Sequence, residues 1–432
     1  MNSKFPALLD SNTPVLVGFS GGLDSSVLLH WLATSPAQRA HGLSALYVHH
    51  GLHPDADAWS QHCAAACAAL GVPLTVVRVQ VMRDAGEGLE AAARHARHTA
   101  FAEHLQPGQR LAVAHHRDDQ AETFLLRALR ASGPDGLASM AAQRPFAAGT
   151  LWRPLLDVPR DALLSYARQH GLSWIEDPSN EHLEHDRNFL RHRILPLLRE
   201  RWPHAAAALA RSAALSGEAA DLLSAGDDAA LDTLLGPHGA LDLDGLRGQP
   251  APLRARLLRR WVARHHAPAL PAQGVTALEA ELAHHAADRA MRFAWRDVEI
   301  RRWRQHLYLL RPTPAWPPGW QTSWDGATPL ALPDGATLTL HATSQSLRFD
   351  RPLHVRARHG GERIVLPGRM HSHSLKHLLQ DADMPPWQRM SLPLLCDADN
   401  VLAAGDGIVS AELRDWLDAH AAWLEWRFVG RV

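Results

Sequence analysis

Seven residues, Ser20-Gly21-Gly22-Leu23-Asp24-Ser25-Ser26, constrain the fold more than any other stretch of this chain. They follow the apolar run Val15-Leu16-Val17-Gly18-Phe19 and precede Val27-Leu28-Leu29-His30-Trp31-Leu32. The first run reads as a buried strand, and the second has the apolar density of a helix. Both glycines therefore fall at a strand-to-helix turn, where backbone N–H groups point at whatever occupies the helix N-terminus. Backbone dipole and hydroxyls together make an anion site suited to pyrophosphate. The kinase-type loop needs Gly-Lys-Ser/Thr, and no lysine stands here. A cradle without that lysine fits chemistry in which pyrophosphate leaves and AMP is transferred. Gly-Gly and Asp-Ser also occur in ordinary tight turns. The strand before, the helix after and the hydroxyls around them favour the anion site.

The rest of the first half repeats the strand-then-helix pattern. Candidate strands cover residues 15–19, 45–48, 74–79, 111–114 and 151–155, with helices at 25–33, 57–70, 89–105 and 118–131. Such alternation predicts an α/β fold with a doubly wound parallel sheet and the site at the carboxyl ends of its strands. A chain of 432 residues is too long for one typical core. We expect a catalytic domain over 1–201, a mainly helical central domain over 202–311 and a small α+β domain over 328–432. Pro312, Pro314, Pro317 and Pro318, interleaved with Trp316 and Trp320, make 312–327 a linker by composition.

The bulk numbers exclude several classes. No run of apolar residues is long enough to span a membrane. Met1 to Asp10 lacks the basic-then-apolar pattern of a signal peptide, and three cysteines cannot build a disulfide framework. Both point to a cytoplasmic protein. The formal net charge is −1, so the total gives no hint of nucleic acid. Local charge says more. Basic residues crowd three stretches, at Arg187 to Arg201, Arg254 to Arg264 and Arg348 to Arg363. Patches of this kind bind phosphate backbones, although a single one is usually a solvated face.

A second polar segment, His115-His116-Arg117-Asp118-Asp119-Gln120-Ala121-Glu122-Thr123, follows the strand at 111–114 and opens a helix. Asp119 and Glu122 share one helical face. They cap the helix, bind a cationic substrate, or position Mg²⁺ near the phosphates.

The Ser-Gly-Gly-x-Asp-Ser loop resembles the signature of the PP-loop ATP pyrophosphatase superfamily. With His116-x-Asp118-Asp119-x-x-Glu122-Thr123, the chain resembles more narrowly the tRNA(Ile)-lysidine synthetase family. Val48-His49-His50-Gly51-Leu52, Glu90 with Arg94 and Arg97, Arg153-Pro154-Leu155, Trp174 to Asn180 and Asp186 to Arg191 extend that likeness. Gly360-Gly361-Glu362-Arg363, Leu375-Lys376 and Pro385 to Arg389 carry it into the C-terminal region.

The resemblance implies ligation of free L-lysine to the wobble cytidine of a tRNA(Ile) with a CAU anticodon, with ATP and Mg²⁺, and neither DNA nor a membrane as partner. It implies that Ser20, Gly21, Gly22, Leu23, Asp24, Ser25, Ser26 and His49 bind ATP, with Asp24 meeting the metal. Asp119 and Glu122 would recognise lysine. Asp24, His116, Asp119, Glu122 and Arg187 form the catalytic set. Arg94, Arg191, Arg358, Arg363, Lys376 and Arg389 would meet the tRNA. The alternatives are another PP-loop tRNA-modifying or amide-forming enzyme, or a catalytically silent tRNA-binding module.

Overall fold

The computed structural model describes residues 5–6, 13–81, 89–283, 291–312, 314–343, 347–382, 384–390, 392–405 and 407–427. Apart from Phe5 and Pro6, the segment from Met1 to Asp10 lies outside them. The chain divides into two compact units, Met1–Ser224 and Ala225–Val432.

The first unit is built on six strands: β1 (Val15–Gly18), β2 (Leu43–His49), β3 (Leu74–Arg78), β4 (Arg110–Ala112), β5 (Gln143–Phe146) and β6 (Gly149–Trp152). Their order is β3-β2-β1-β4-β6-β5. All neighbours are parallel except β5 against β6. The five expected strands are present, and β5 is an addition. Its Gln-Arg-Pro-Phe sequence has no strand-like apolar pattern, and a proline inside it is tolerated because the strand is at the edge.

Helices α1 (Leu23–Ala33), α2 (Pro36–His41), α3 (Ala56–Leu70), α4 (Leu89–His104), α5 (Arg117–Leu129), α6 (Pro134–Leu137) and α7 (Arg160–Gln169) connect or follow these strands. Both faces of the sheet are covered, which is why β1 is apolar at every position. Val15 and Val17 pack into a core with α1, α3 and α7. Leu16 faces the other way, toward Ala100 and Phe101 of α4. Gly18 is needed there, since a Cβ would lie 2.9 Å from the Phe101 ring.

Chain order reverses between β1 and β4. Crossovers from β1 run one way to β2, and the chain returns to place β4 on the other side. Such a switch point opens a crevice at the strand ends. The Ser20–Ser26 loop leaves β1 there, and His116 follows β4. Further along, α8 (Asp186–Phe189), a π-helical turn at Leu190–Ile194 and α9 (Leu195–Arg201) run on from one another. The long α10 (Ala205–Asp232) follows.

In the second unit, α11 (Leu243–Arg247), α12 (Ala251–Arg264) and α13 (Ala272–Leu282) pack with a four-stranded sheet built around Val298–Trp303 and His306–Leu310. A five-stranded antiparallel sheet follows, ordered Gln321–Trp324, Leu353–Arg356, Leu394–Asp397, Asn400–Ala404 and Ile408–Val409. The expected linker at 312–327 therefore supplies an edge strand, and Trp316 and Trp320 pack on that domain's core.

The Arg254 to Arg264 stretch also departs from expectation. Arg254 bonds Glu279 at 2.6 Å, Arg256 bonds Asp227 at 2.7 Å, and Arg260 bonds Asp228 at 2.5 Å. Arg264 reaches Asp228 and Asp232. These acids stand on α10 and α13, out of sight of any local count of charge. Arg259 is the exposed exception. The stretch is mostly a neutralised helix contact rather than an open basic patch.

Candidate active site

Gly21 adopts φ +78°, the left-handed region that glycine tolerates. A Cβ there would stand 2.5 Å from Ile175 Cδ1 and 2.9 Å from Cys63 Sγ. The Ile175 N–H also donates to the Gly21 carbonyl at 2.9 Å. The glycine turn is thus held from below by residues 42 and 154 positions away in the chain. Hydroxyls lace its upper side. Ser25 Oγ lies 3.1 Å from Ser20 Oγ and donates to the Gly22 carbonyl at 3.0 Å, and Ser26 Oγ donates to the Gly21 carbonyl at 3.3 Å. Gly22, the extended N-cap of α1, offers no side chain to the first-turn N–H groups. That leaves them for an anion.

Across the switch point His116 caps α5. Its Nδ1 accepts the N–H of Asp118 at 3.2 Å and of Asp119 at 3.4 Å, while Asp119 Oδ2 accepts the His116 N–H at 3.0 Å. This reciprocal box fixes the ring. With Nδ1 accepting, the neutral ring carries its proton on Nε2. That nitrogen lies 3.5 Å from both Asp24 Oδ2 and Asp119 Oδ2. The histidine therefore joins the first turns of α1 and α5.

Glu122 is fully buried on the same face as Asp119. Arg191, in the π-helical turn, donates Nε to Glu122 Oε1 at 2.7 Å. Its Nη2 reaches Asp119 Oδ1 at 2.8 Å and Glu122 Oε2 at 3.1 Å. Arg187 donates to Thr123 Oγ1 at 2.9 Å, with its Nε 3.3 Å from Glu122 Oε2. Arg199 pairs with Asp118.

Residues 2–198 match the PP-loop domain family, 241–308 the TilS substrate binding domain and 353–426 the TilS substrate C-terminal domain. The chain is 63% identical to a tRNA(Ile)-lysidine synthase of Xanthomonas axonopodis pv. citri, covering 96% of this chain and 94% of that one. It is 57% identical to the Xylella fastidiosa Temecula1 protein of the same name, over 99% of this chain and 98% of that one. A Methylococcus capsulatus relative with that name is 42% identical, over 93% of each. The chain belongs to the tRNA(Ile)-lysidine synthase family.

A lysidine synthase of this kind is an ATP-dependent ligase, and its electrostatics follow from burial against charge. Burial opposes charge on His116, but the Asp119 and Asp24 carboxylates outweigh it and raise the ring's pKa. Burial would raise Asp119, yet His116, His115 and Arg191 hold it below the ordinary carboxylate range. Glu122 is raised, because burial exceeds the help from Arg191. Burial drives His115 down to about 3, so its Nδ1 accepts from Arg153 Nε at 3.3 Å.

Asp24 Oδ1 is buried and has no hydrogen-bond partner among the described residues. A hard carboxylate oxygen left open beside a phosphate loop fits Mg²⁺, which binds through one or two carboxylates plus phosphates and water. No cluster of three or more potential metal ligands occurs among the described residues.

The other candidates are more scattered. His49, at the end of β2, is buried and 3.2 Å from Asp57. Arg94 lies on the exposed side of α4. Arg191, assigned by resemblance to tRNA, is committed to Asp119 and Glu122. Arg358 is tied into a turn by Glu362 at 3.2 Å, and Arg363 bonds Ser372 at 2.8 Å. Arg389 lies over the Trp303 ring at 5.3 Å, while Lys376 is exposed. Ile175, Cys63 and Thr123 were not singled out as site residues. Only their contacts across the fold assign them supporting roles. No helix among the described residues is long and apolar enough to cross a membrane.

Proposed function

We propose that the protein ligates the ε-amine of free L-lysine to C2 of the wobble cytidine in a CAU-anticodon tRNA(Ile). One juxtaposition carries the reading: a phosphate cradle after β1 and a buried carboxylate pair at the start of α5, after β4, share one crevice, with His116 between them. The cytidine O2 attacks the α-phosphorus of ATP bound at Ser20–Ser26, and pyrophosphate leaves. The resulting AMP ester makes O2 a good leaving group. The ε-amine then attacks C2, AMP departs, and the ammonium proton passes to a base.

Lysine in water holds that proton with a pKa of about 10.4, so the site must take it. Asp119 and Glu122 supply the negative charge that recognises the ammonium group. Arg191 already sits on both, so lysine binding moves the guanidinium off at least one of them. His116 Nε2 lies 3.5 Å from both the Asp24 and Asp119 carboxylates, so the capped ring stands between them and orients the two. Arg187 has its guanidinium beside Glu122 and would meet the adenylate phosphate. Mg²⁺ held by Asp24 and the phosphates would neutralise charge developing on pyrophosphate.

The test is incorporation of radiolabelled lysine with ATP and Mg²⁺ into tRNA(Ile) or tRNA(Met), both bearing CAU. ATP-dependent label in the isoleucine tRNA alone is expected. No label in a folded, ATP-binding protein overturns the lysine assignment and favours another PP-loop activity.

A further inference from the structure

Helix α9 ends in an apolar hollow that the chemistry above does not use. Leu198, Trp202, His204 and Leu209 line it together with Arg201, and it encloses about 480 Å³. That volume lies in the range of small-molecule sites. Trp202 is 59% exposed. A lone exposed apolar residue needs no explanation, but this one has three unusual neighbours.

First, the Arg201 guanidinium stands over the Trp202 ring, 6.0 Å from its centroid. Second, the chain here is strongly basic. Between residues 191 and 205, Arg191 and Arg199 are committed to carboxylates, which leaves the exposed Arg193 and Arg201 with two histidines against Glu200. Third, the helix that ends in the hollow is tied to the helix that carries Asp119 and Glu122. Arg199, three residues before Trp202, pairs with Asp118 in the first turn of α5, next to Asp119.

An exposed aromatic ring flanked by cations is how proteins hold unpaired nucleotides, with the base stacked and the phosphates paired. We propose that Trp202 is a stacking platform for an unpaired base of the tRNA anticodon loop, with Arg201 and His204 on the adjoining phosphates. The proposal rests on the tRNA reading above. A wobble base entering the crevice must leave its stack, so its neighbours lose theirs as well. An exposed ring at the end of α9 replaces what they lose. Charge selects this occupant, since the rim is basic and the substrate is a polyanion.

The test uses full-length protein with Trp202→Ala and Trp202→Phe, and tRNA(Ile) whose anticodon adenine is replaced by 2-aminopurine. Trp202→Ala is expected to raise the KM for tRNA about 5- to 150-fold, the range for one stacked base. ATP affinity should stay at the wild-type value, and Trp202→Phe should stay within about threefold for tRNA, because a smaller ring still stacks. Fluorescence of 2-aminopurine should be quenched on saturation by wild type and recover with Trp202→Ala. An unchanged KM for tRNA in Trp202→Ala overturns the proposal, as does equal loss in both variants. So does a lowered Tm of Trp202→Ala with unaltered tRNA binding, which would mean that another segment of this chain covers the hollow. If wild type quenches the probe but incorporates no lysine, the lysine reading fails and the platform stands.

Discussion

Two regions of this molecule pair arginine with carboxylate, and they do so in opposite ways. On α12, Arg254, Arg256, Arg260 and Arg264 each meet an acid on α10 or α13. Little is left over there for a ligand. In the crevice, Arg191 and Arg187 converge on the buried Glu122 while Asp24 Oδ1 and His116 Nε2 keep no hydrogen-bond partner among the described residues. The first arrangement spends its charge on joining helices. The second keeps charge buried and incompletely satisfied, which costs stability unless substrate completes it. The difference shows that counting charges along a chain cannot separate scaffold from site; the partners those charges meet in space can.

Substitutions should break the two regions differently. Glu122→Gln keeps the shape but removes the charge facing Arg187 and Arg191. Lysine incorporation is expected to fall roughly 100- to 1,000-fold with little loss of ATP binding, read from single-turnover label. Arg256→Ala leaves the nearly buried Asp227 unpaired. Chemical denaturation should show a loss of about 3 kcal/mol, with lysine incorporation per folded molecule unchanged. Gly21→Ala forces a Cβ into Ile175 and a left-handed backbone costing about 1–2 kcal/mol, so ATP affinity should drop by about tenfold in calorimetry.

The Asp119 carboxyl gives a pH signature. Its folded pKa is below the unfolded value, so its stabilisation is present above the ordinary carboxylate range and is lost as pH falls through the lowered value. Urea midpoints of wild type should therefore approach those of Asp119→Asn on acidification. Convergence on raising the pH instead would contradict the buried ion pair. The smallest effect should come from Arg260→Ala, whose pair with Asp228 is partly exposed. A loss under about 1 kcal/mol and unaltered tRNA labelling are expected. A large fall in tRNA affinity there would make α12 a tRNA contact after all.

The strand-to-helix turn at Ser20–Ser26 and the segment after β4 were legible because each is local. Apolar runs buried on both faces and glycines at φ above zero leave their mark within a few residues. The same holds for the placing of His116, Asp119 and Glu122 on one helical start. Arg191 was legible as a basic residue but not as the partner of Asp119 and Glu122, because they lie 72 and 69 positions away. The edge strand Gln143–Phe146 was missed for a related reason: its pairing with β6, and not its composition, makes it a strand.

The amino-acid sequence alone determined the alternation that builds the sheet, the phosphate loop and the acidic helix start, since each depends on neighbours in the chain. Tertiary structure alone decided which charges are spent. It set Ile175 and Cys63 beneath Gly21, turned one basic stretch into a helix seam, and drew Arg191 into the crevice. Coulomb energy and desolvation depend on distance in space and on burial, and neither is written in the spacing of residues along a chain.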